Sequence, residues 1–143
     1  MAHVRTLLRN QVKTLLLGNT AAGTNIFVNP VNELGPGDLP AILISTRDES
    51  VERQTQNGRL RRTIQLVLFC WIAANSDYDT VADDLSAEVE SILIPTAVTL
   101  ANDIQLVSTK MDLSNRGEKI EASLQMQYTV YVDTMIDDPY NKV

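Results

Sequence analysis

Residues 120–132 alternate without a break. Ile120, Ala122, Leu124, Met126, Tyr128, Val130 and Val132 share one parity, and Glu121, Ser123, Gln125, Gln127 and Thr129 share the other. A period of two over that length marks a β-strand with one face in a core and the other in water, since successive side chains leave opposite sides of the pleat. Such a strand is not stable alone. It needs neighbours in a sheet, and its apolar face needs a covering layer.

Two segments with helical spacing can supply that layer. Over residues 2–17, Val4, Leu7, Leu8, Val12, Leu15 and Leu16 form one apolar stripe. Arg5, Arg9 and Lys13 recur every four residues as a basic outer stripe, and Gly18-Asn19 supplies the stop. The second helix is expected over 77–94, with Ser76 as N-cap and acids in the first turn. Its buried stripe reads Val81, Leu85, Val89, Ile92 and Leu93, and Pro95 ends it.

The remaining apolar runs read as strands at Thr24–Val28, Ala41–Thr46, Leu60–Ala73 and Ile104–Met111. In Leu60–Ala73, one parity holds Leu60, Ile64, Leu66, Leu68, Cys70 and Ile72. The other begins polar at Arg61, Thr63 and Gln65 and turns apolar at Val67, Phe69 and Trp71. That predicts a central strand covered on both sides along its second half. Residues 30–40, with three prolines and two glycines, read as a loop; 47–58 read as a long exposed loop; Ser114–Gly117 reads as a hairpin turn. The acidic tail 133–143 is expected to be loose. The resulting expectation is one α+β domain over 1–143. Its sheet is mixed and mostly antiparallel, with about five strands and two helices on one face, in the order α-β-β-β-α-β-β.

Charge is unevenly spread along the chain. Residues 1–62 hold eight Lys/Arg and five Asp/Glu, whereas 63–109 hold seven acids and no base. Net charge is −6, which disfavours sequence-wide nucleic-acid binding. The chain is able to present a basic face and an acidic face, which would let copies dock head to tail or let one face meet a charged partner; the plainer reading is two solvated surfaces. The acidic face is read as Asp77, Asp79, Asp83, Asp84 and Glu88. No apolar run is long enough to span a bilayer, and the first residues show no apolar leader core. The protein is therefore expected in a cytoplasm, or in a particle assembled there. A lone cysteine excludes an internal disulfide.

The signals that imitate chemistry have simpler readings. Gly18-Asn19-Thr20-Ala21-Ala22-Gly23-Thr24 has the spacing of a phosphate loop but no lysine after its second glycine. It also follows a helix instead of opening one, so it reads as a cap and turn. The acids near residue 80 lack the glycine and the distal glutamate of a calcium loop. His3 has no metal or triad partners, and Cys70, on the apolar parity, reads as a core residue. No catalytic, cofactor or metal residues are assigned, and the chain is read as not an enzyme. Arg59, Arg61 and Arg62 stand apart: three guanidinium groups so close repel one another unless carboxylates or phosphates face them.

With its helix ending Leu15-Leu16-Leu17-Gly18-Asn19-Thr20-Ala21-Ala22-Gly23-Thr24, the chain resembles the tail terminators (minor tail protein U-like) of long-tailed bacteriophages. The resemblance continues through Ile26-Phe27-Val28, Leu39-Pro40-Ala41-Ile42-Leu43-Ile44, Asp48-Glu49-Ser50 and Leu60-Arg61-Arg62. It ends with the helix around Asp79-Thr80-Val81-Ala82-Asp83-Asp84-Leu85 and the alternating strand.

The resemblance implies a subunit of a homohexameric ring in the virion, assembled in the host bacterial cytoplasm. The ring sits on the head-proximal end of the tail tube, stops its growth and offers a surface to a head-completion or connector protein. DNA passes through the lumen without being read, and an acidic lumen keeps it from sticking. Asp48, Glu49, Glu52, Arg53, Arg59, Arg61 and Arg62 are the expected subunit or tail-tube contacts, with the 30–40 loop as a second candidate. The alternatives are another neck component, such as a head-closure or tail-completion protein, and a small cytoplasmic ligand-binding domain.

Overall fold

A computed structural model describes residues 1–28, 39–73, 77–116 and 119–143, and the side chains of all of these except 114–116, 119 and 120. The sheet is built outward from one long pairing. β3 (Arg59–Ala73) and β5 (Lys119–Met135) run antiparallel from Arg59 opposite Met135 to Ala73 opposite Glu121. β2 (Ala41–Arg53) flanks β3, and β1 (Ile26–Val28) pairs with β2 in parallel across Ile42, Leu43 and Ile44. β4 (Asp103–Arg116) flanks β5 on the far side. The strand order is β1-β2-β3-β5-β4, and β6 (Asp138–Lys142) folds back onto the end of β5. The fold is α+β, with a mixed and mostly antiparallel sheet.

Both helices share a single core with one sheet face. α1 (Val4–Leu16) buries Val4, Leu8, Val12 and Leu16 against β1 and β2, and α2 (Tyr78–Ile92) buries Ala82, Leu85 and Val89 against β3 and β5. Beneath them lie Ile42 and Ile44, the even residues Ile64 to Ile72, and Ala122 to Val132. The alternating ribbon predicted for 120–132 is therefore β5, dry on one side as its parity requires.

α1 starts at His3, whose Nδ1 accepts the Arg5 amide hydrogen (3.1 Å), and stops before Gly18, which takes a left-handed φ of 75°. The Gly18–Gly23 segment closes on itself, the Gly18 amide donating to the Gly23 carbonyl at 2.8 Å. This is the cap and turn that its order relative to the helix demanded. The Ser76 cap, residues 30–38 of the proline-rich stretch and residue 117 of the expected turn lie outside the described residues.

Four expectations need correction. The sheet has six strands, because the tail expected to be loose forms β6, whose register rests on backbone pairing and leaves no apolar period to read. Residues 47–53 of the expected long loop belong to β2. This stretch extends past the core and is mostly exposed, so its sequence loses alternation while its backbone stays paired. The true turn is 54–58, held by Gly58 at φ 86°, whose carbonyl accepts the Ile136 amide at 2.7 Å. β3 is central by pairing, but among the described residues no second layer covers its other face: both helices lie on one side, and on the other Val67 is buried while Phe69 and Trp71 stay half-buried. In α2, Leu85, Val89 and Leu93 are buried as predicted and Ile92 packs against the core, but at the start of the stripe Ala82 lies inside while Val81 is 40% exposed.

Replacing Leu66, fully buried in the middle of β3, by alanine removes core contacts and leaves a void. Leu66→Ala is expected to cost about 2–5 kcal/mol in urea unfolding with an unchanged slope, and a loss under about 1 kcal/mol would show that this core is not packed as described.

Candidate interaction surfaces

The polar architecture follows from a single extra residue in β2. Thr46 stands opposite Leu66 and Glu49 opposite Ile64, so β2 spends three steps where β3 spends two. This β-bulge reverses the parity of everything after it. Glu49 thereby joins the helix-bearing face instead of the wet one. There its two carboxylate oxygens accept from Arg62 (2.8 Å) and from Arg5 of α1. Arg62, nearly buried among the apolar even residues of β3, also donates from Nε to Thr134 Oγ1 (3.1 Å). Burial alone would raise the Glu49 pKa, but hydrogen bonds from Arg62 and Arg5 outweigh it and hold the carboxyl below the usual range.

Arg59 and Arg61 leave β3 on the opposite, wet face. Both converge on Asp133 of β5: Arg61 donates from Nε to Oδ1 (2.9 Å), and Arg59 donates to Oδ2 (2.9 Å). Arg61 also lies over the Tyr131 ring at 5.7 Å. Hydrogen bonds from Arg61, working against burial, hold the Asp133 carboxyl below its ordinary value. The carboxylates that the three arginines require are thus the chain's own. Strand alternation splits the cluster into two separate ion-pair centres, and neither partner was identifiable from the sequence. Arg53 is also occupied, since its guanidinium donates to the carbonyls of Thr55 (3.2 Å) and Gln56 (3.2 Å) and braces the turn. Glu52, opposite Arg61, and Asp48, in the bulge, remain exposed.

One cation differs from these. Arg9 donates to Thr46 Oγ1 (2.5 Å) and Thr6 Oγ1 (3.2 Å), but among the described residues no carboxylate pairs with it. Its Nε is out of solvent and has no partner. Desolvation and the neighbouring Arg5 charge both lower its pKa. Arg9 sits in a solvent-open cavity of about 340 Å³ between the first turns of α1 and residues 46–49 of β2.

The predicted acidic face lies on and beside α2. Asp77 is its N-cap residue but makes no capping bond from its side chain, and Asp79, Asp83 and Asp84 are exposed. Glu88 is tied down by the Ala21 amide (2.9 Å). Among the described residues, none of these acids forms an ion pair.

Two further surfaces were only partly legible in the sequence. On the wet sheet face, Phe27, Leu43 and Phe69 align across three strands, with Val67 and Trp71 beside them. Arg47 leans over the Phe69 ring at 5.2 Å. Next to this patch runs an uncharged ladder, in which Gln127 donates to Gln65 (3.3 Å) and Thr129 donates to the same oxygen (3.4 Å). The sheet is also open at its sides. Among the described residues, β4 pairs only with β5, and β1 covers β2 only from Ile42 to Ile44. Val107, in a second bulge, and Leu113 are 60% and 54% exposed on β4.

Cys70 is buried in the core, and burial pushes its thiol up to about 12, so it is not a ready nucleophile. Among the described residues, no helix is long and apolar enough to cross a membrane.

No family model matches the sequence, and no curated protein matches it. Among solved structures, the chain is similar to one described as part of the virion of a native gene transfer agent particle. Identity is 17%, over 90% of this chain and 92% of that one, with a TM-score of 0.48. A likeness of this strength carries neither fold nor role from one chain to the other.

Glu49→Ala strands a buried guanidinium, and a loss of about 3–5 kcal/mol in chemical unfolding is expected; a loss near zero would show that Arg62 finds another anion. The two depressed carboxyls also set an acid dependence. Their contribution is fully present above the unfolded value of about 4 and disappears as pH falls through the lower folded values. Stability measured from pH 7 downward should therefore be flat to about pH 5 and fall steeply below about pH 4, less steeply in Glu49→Ala.

Proposed function

We propose that this chain is a structural virion protein, a subunit of a ring that caps the head-proximal end of a phage tail tube. It acts by binding, not by chemistry. The ring terminates tube growth and presents a joining surface to a head-completion or connector protein. DNA passes through its lumen unread.

The observation that carries this reading is the open sheet. An exposed edge invites pairing with another chain, and soluble monomers blunt such edges. Here one long edge strand carries exposed Val107 and Leu113, and among the described residues the far edge is covered for three residues. The two edges are different surfaces, so contact between them is heterologous, and heterologous contacts that close make rings. The resemblance of the sequence to tail terminators supplies the role. The wet-face patch around Phe69 and Trp71 is the surface assigned to the tube, since an apolar patch rimmed by polar groups suits a protein contact. The exposed part of the bulge and turn, Asp48 and Glu52 included, is assigned to contacts at the ring's rim.

Deleting the reading frame from its parent phage is expected to give overlong tails without heads in negative-stain micrographs. Tails of normal length beside DNA-filled heads would move the protein to the head-closure side of the neck. Normal infectious particles would sink the structural role altogether.

A further inference from the structure

The ring reading leaves open which surfaces of neighbouring copies meet, and this inference rests on that reading. We infer that the Arg9–Lys13 side of α1 on one copy docks against the exposed acids of α2, chiefly Asp79, Asp83 and Asp84, on the next.

Charge complementarity selects the occupant. α1 carries Arg5, Arg9 and Lys13 and no acid, whereas α2 carries five acids and no base. Of the other arginines around the bulge and β3, Arg5 and Arg62 share Glu49, Arg59 and Arg61 share Asp133, and Arg47 leans over the Phe69 ring. Among the described residues, Arg9 holds a partly desolvated charge in an open cavity without a carboxylate. Its hydroxyl partners Thr6 and Thr46 orient the guanidinium but do not neutralise it. Asp48 lines the same cavity and forms no ion pair with it.

The two helices lie on the same face of the sheet. α1 packs over β1 and β2 and also meets β6, and α2 packs over β3 and β5, the inner strands of the sheet. A second copy placed with its acidic helix against the basic helix of the first joins the two unlike charges across the seam. Gln11, on a different side of α1 from Arg9, is occupied within the chain, donating to Thr99 (2.7 Å) and accepting from the Leu100 amide (3.1 Å). The Arg9 side is the one left for a neighbour.

A charge swap tests this. Four samples of the full chain are compared by native mass spectrometry and light scattering at low ionic strength: wild type, Arg9→Glu/Lys13→Glu, Asp83→Lys/Asp84→Lys, and an equimolar mixture of the two variants. Circular dichroism confirms that each variant is folded. Wild type is expected to form rings, each variant alone to need at least a tenfold higher concentration to assemble, and the mixture to recover rings by strict alternation. Raised ionic strength should weaken the wild-type contact. If wild type assembles and both variants assemble equally well, the contact lies elsewhere and the ring reading stands. If the variants fail alone and the mixture stays dissociated, the pairing of these two helices is likewise overturned. If wild type stays monomeric both in solution and on tail tubes, the ring reading itself fails, and this inference with it.

Discussion

The bulge between Thr46 and Glu49 is the constraint on which the polar half of this structure depends. Without it, Glu49 would face water on the wrong side of the sheet, and Arg62 would lie in the core with no anion. An arginine in that position is tolerable only when its charge is met and its remaining hydrogens are satisfied. Glu49 and Thr134 provide both, and Arg5 brings the start of α1 into the same arrangement. One inserted residue thus fixes three things: the parity of the outer half of β2, the seat of the first helix, and the polar terminus of the core. A second centre, at Asp133, does the equivalent task on the wet face by tying two arginines of β3 to the end of β5.

The apolar skeleton was legible in the sequence because it obeys simple periods. β5 appeared with its correct dry face, and α1 appeared with its four deepest residues inside the stripe. β3 appeared as the middle of the sheet, though for a reason that did not hold. The expected second layer over Val67, Phe69 and Trp71 is missing among the described residues; Val67 is buried within its own face, and Phe69 and Trp71 form a half-exposed patch. What escaped reading was of two kinds. β6 and the outer part of β2 are held by backbone pairing, which writes no pattern into side chains. The ion-pair partners lie far apart in sequence, Arg61 and Asp133 above all, and meet only through strand register. The sequence did signal that the arginine cluster needed carboxylates. It held no signal that the bulge would bring Glu49 to one face while the β3–β5 register brought Asp133 to the other.

The surfaces that remain unsatisfied are therefore few. With the arginines of β3 each paired to a carboxylate, the basic stripe of α1 and the acidic face of α2 are two charged surfaces of opposite sign. They lie in the same layer, on one face of the sheet. A monomer with that arrangement carries its own complement displaced sideways, the condition for repetition in one direction. The wet face points away from both helices, so a chain extending laterally leaves its apolar patch and its amide ladder free for other contacts.

The pairing of β3 with β5 also governs when the molecule can form. β3 is the middle of the sheet, but the strand that completes it is made only after α2 and β4. Contacts between residues 48 to 76 positions apart must await closure of a long loop, which slows folding. While the ribosome is still adding residues beyond 73, the long apolar strand β3 has one side without a partner, and several such chains on one messenger offer those edges to one another. The even residues of β5 complete the core, and its ladder closes that edge. The alternating ribbon is thus also the timing element of the chain, and a product cut short before residue 120 would be an adhesive strand in search of any edge it can find.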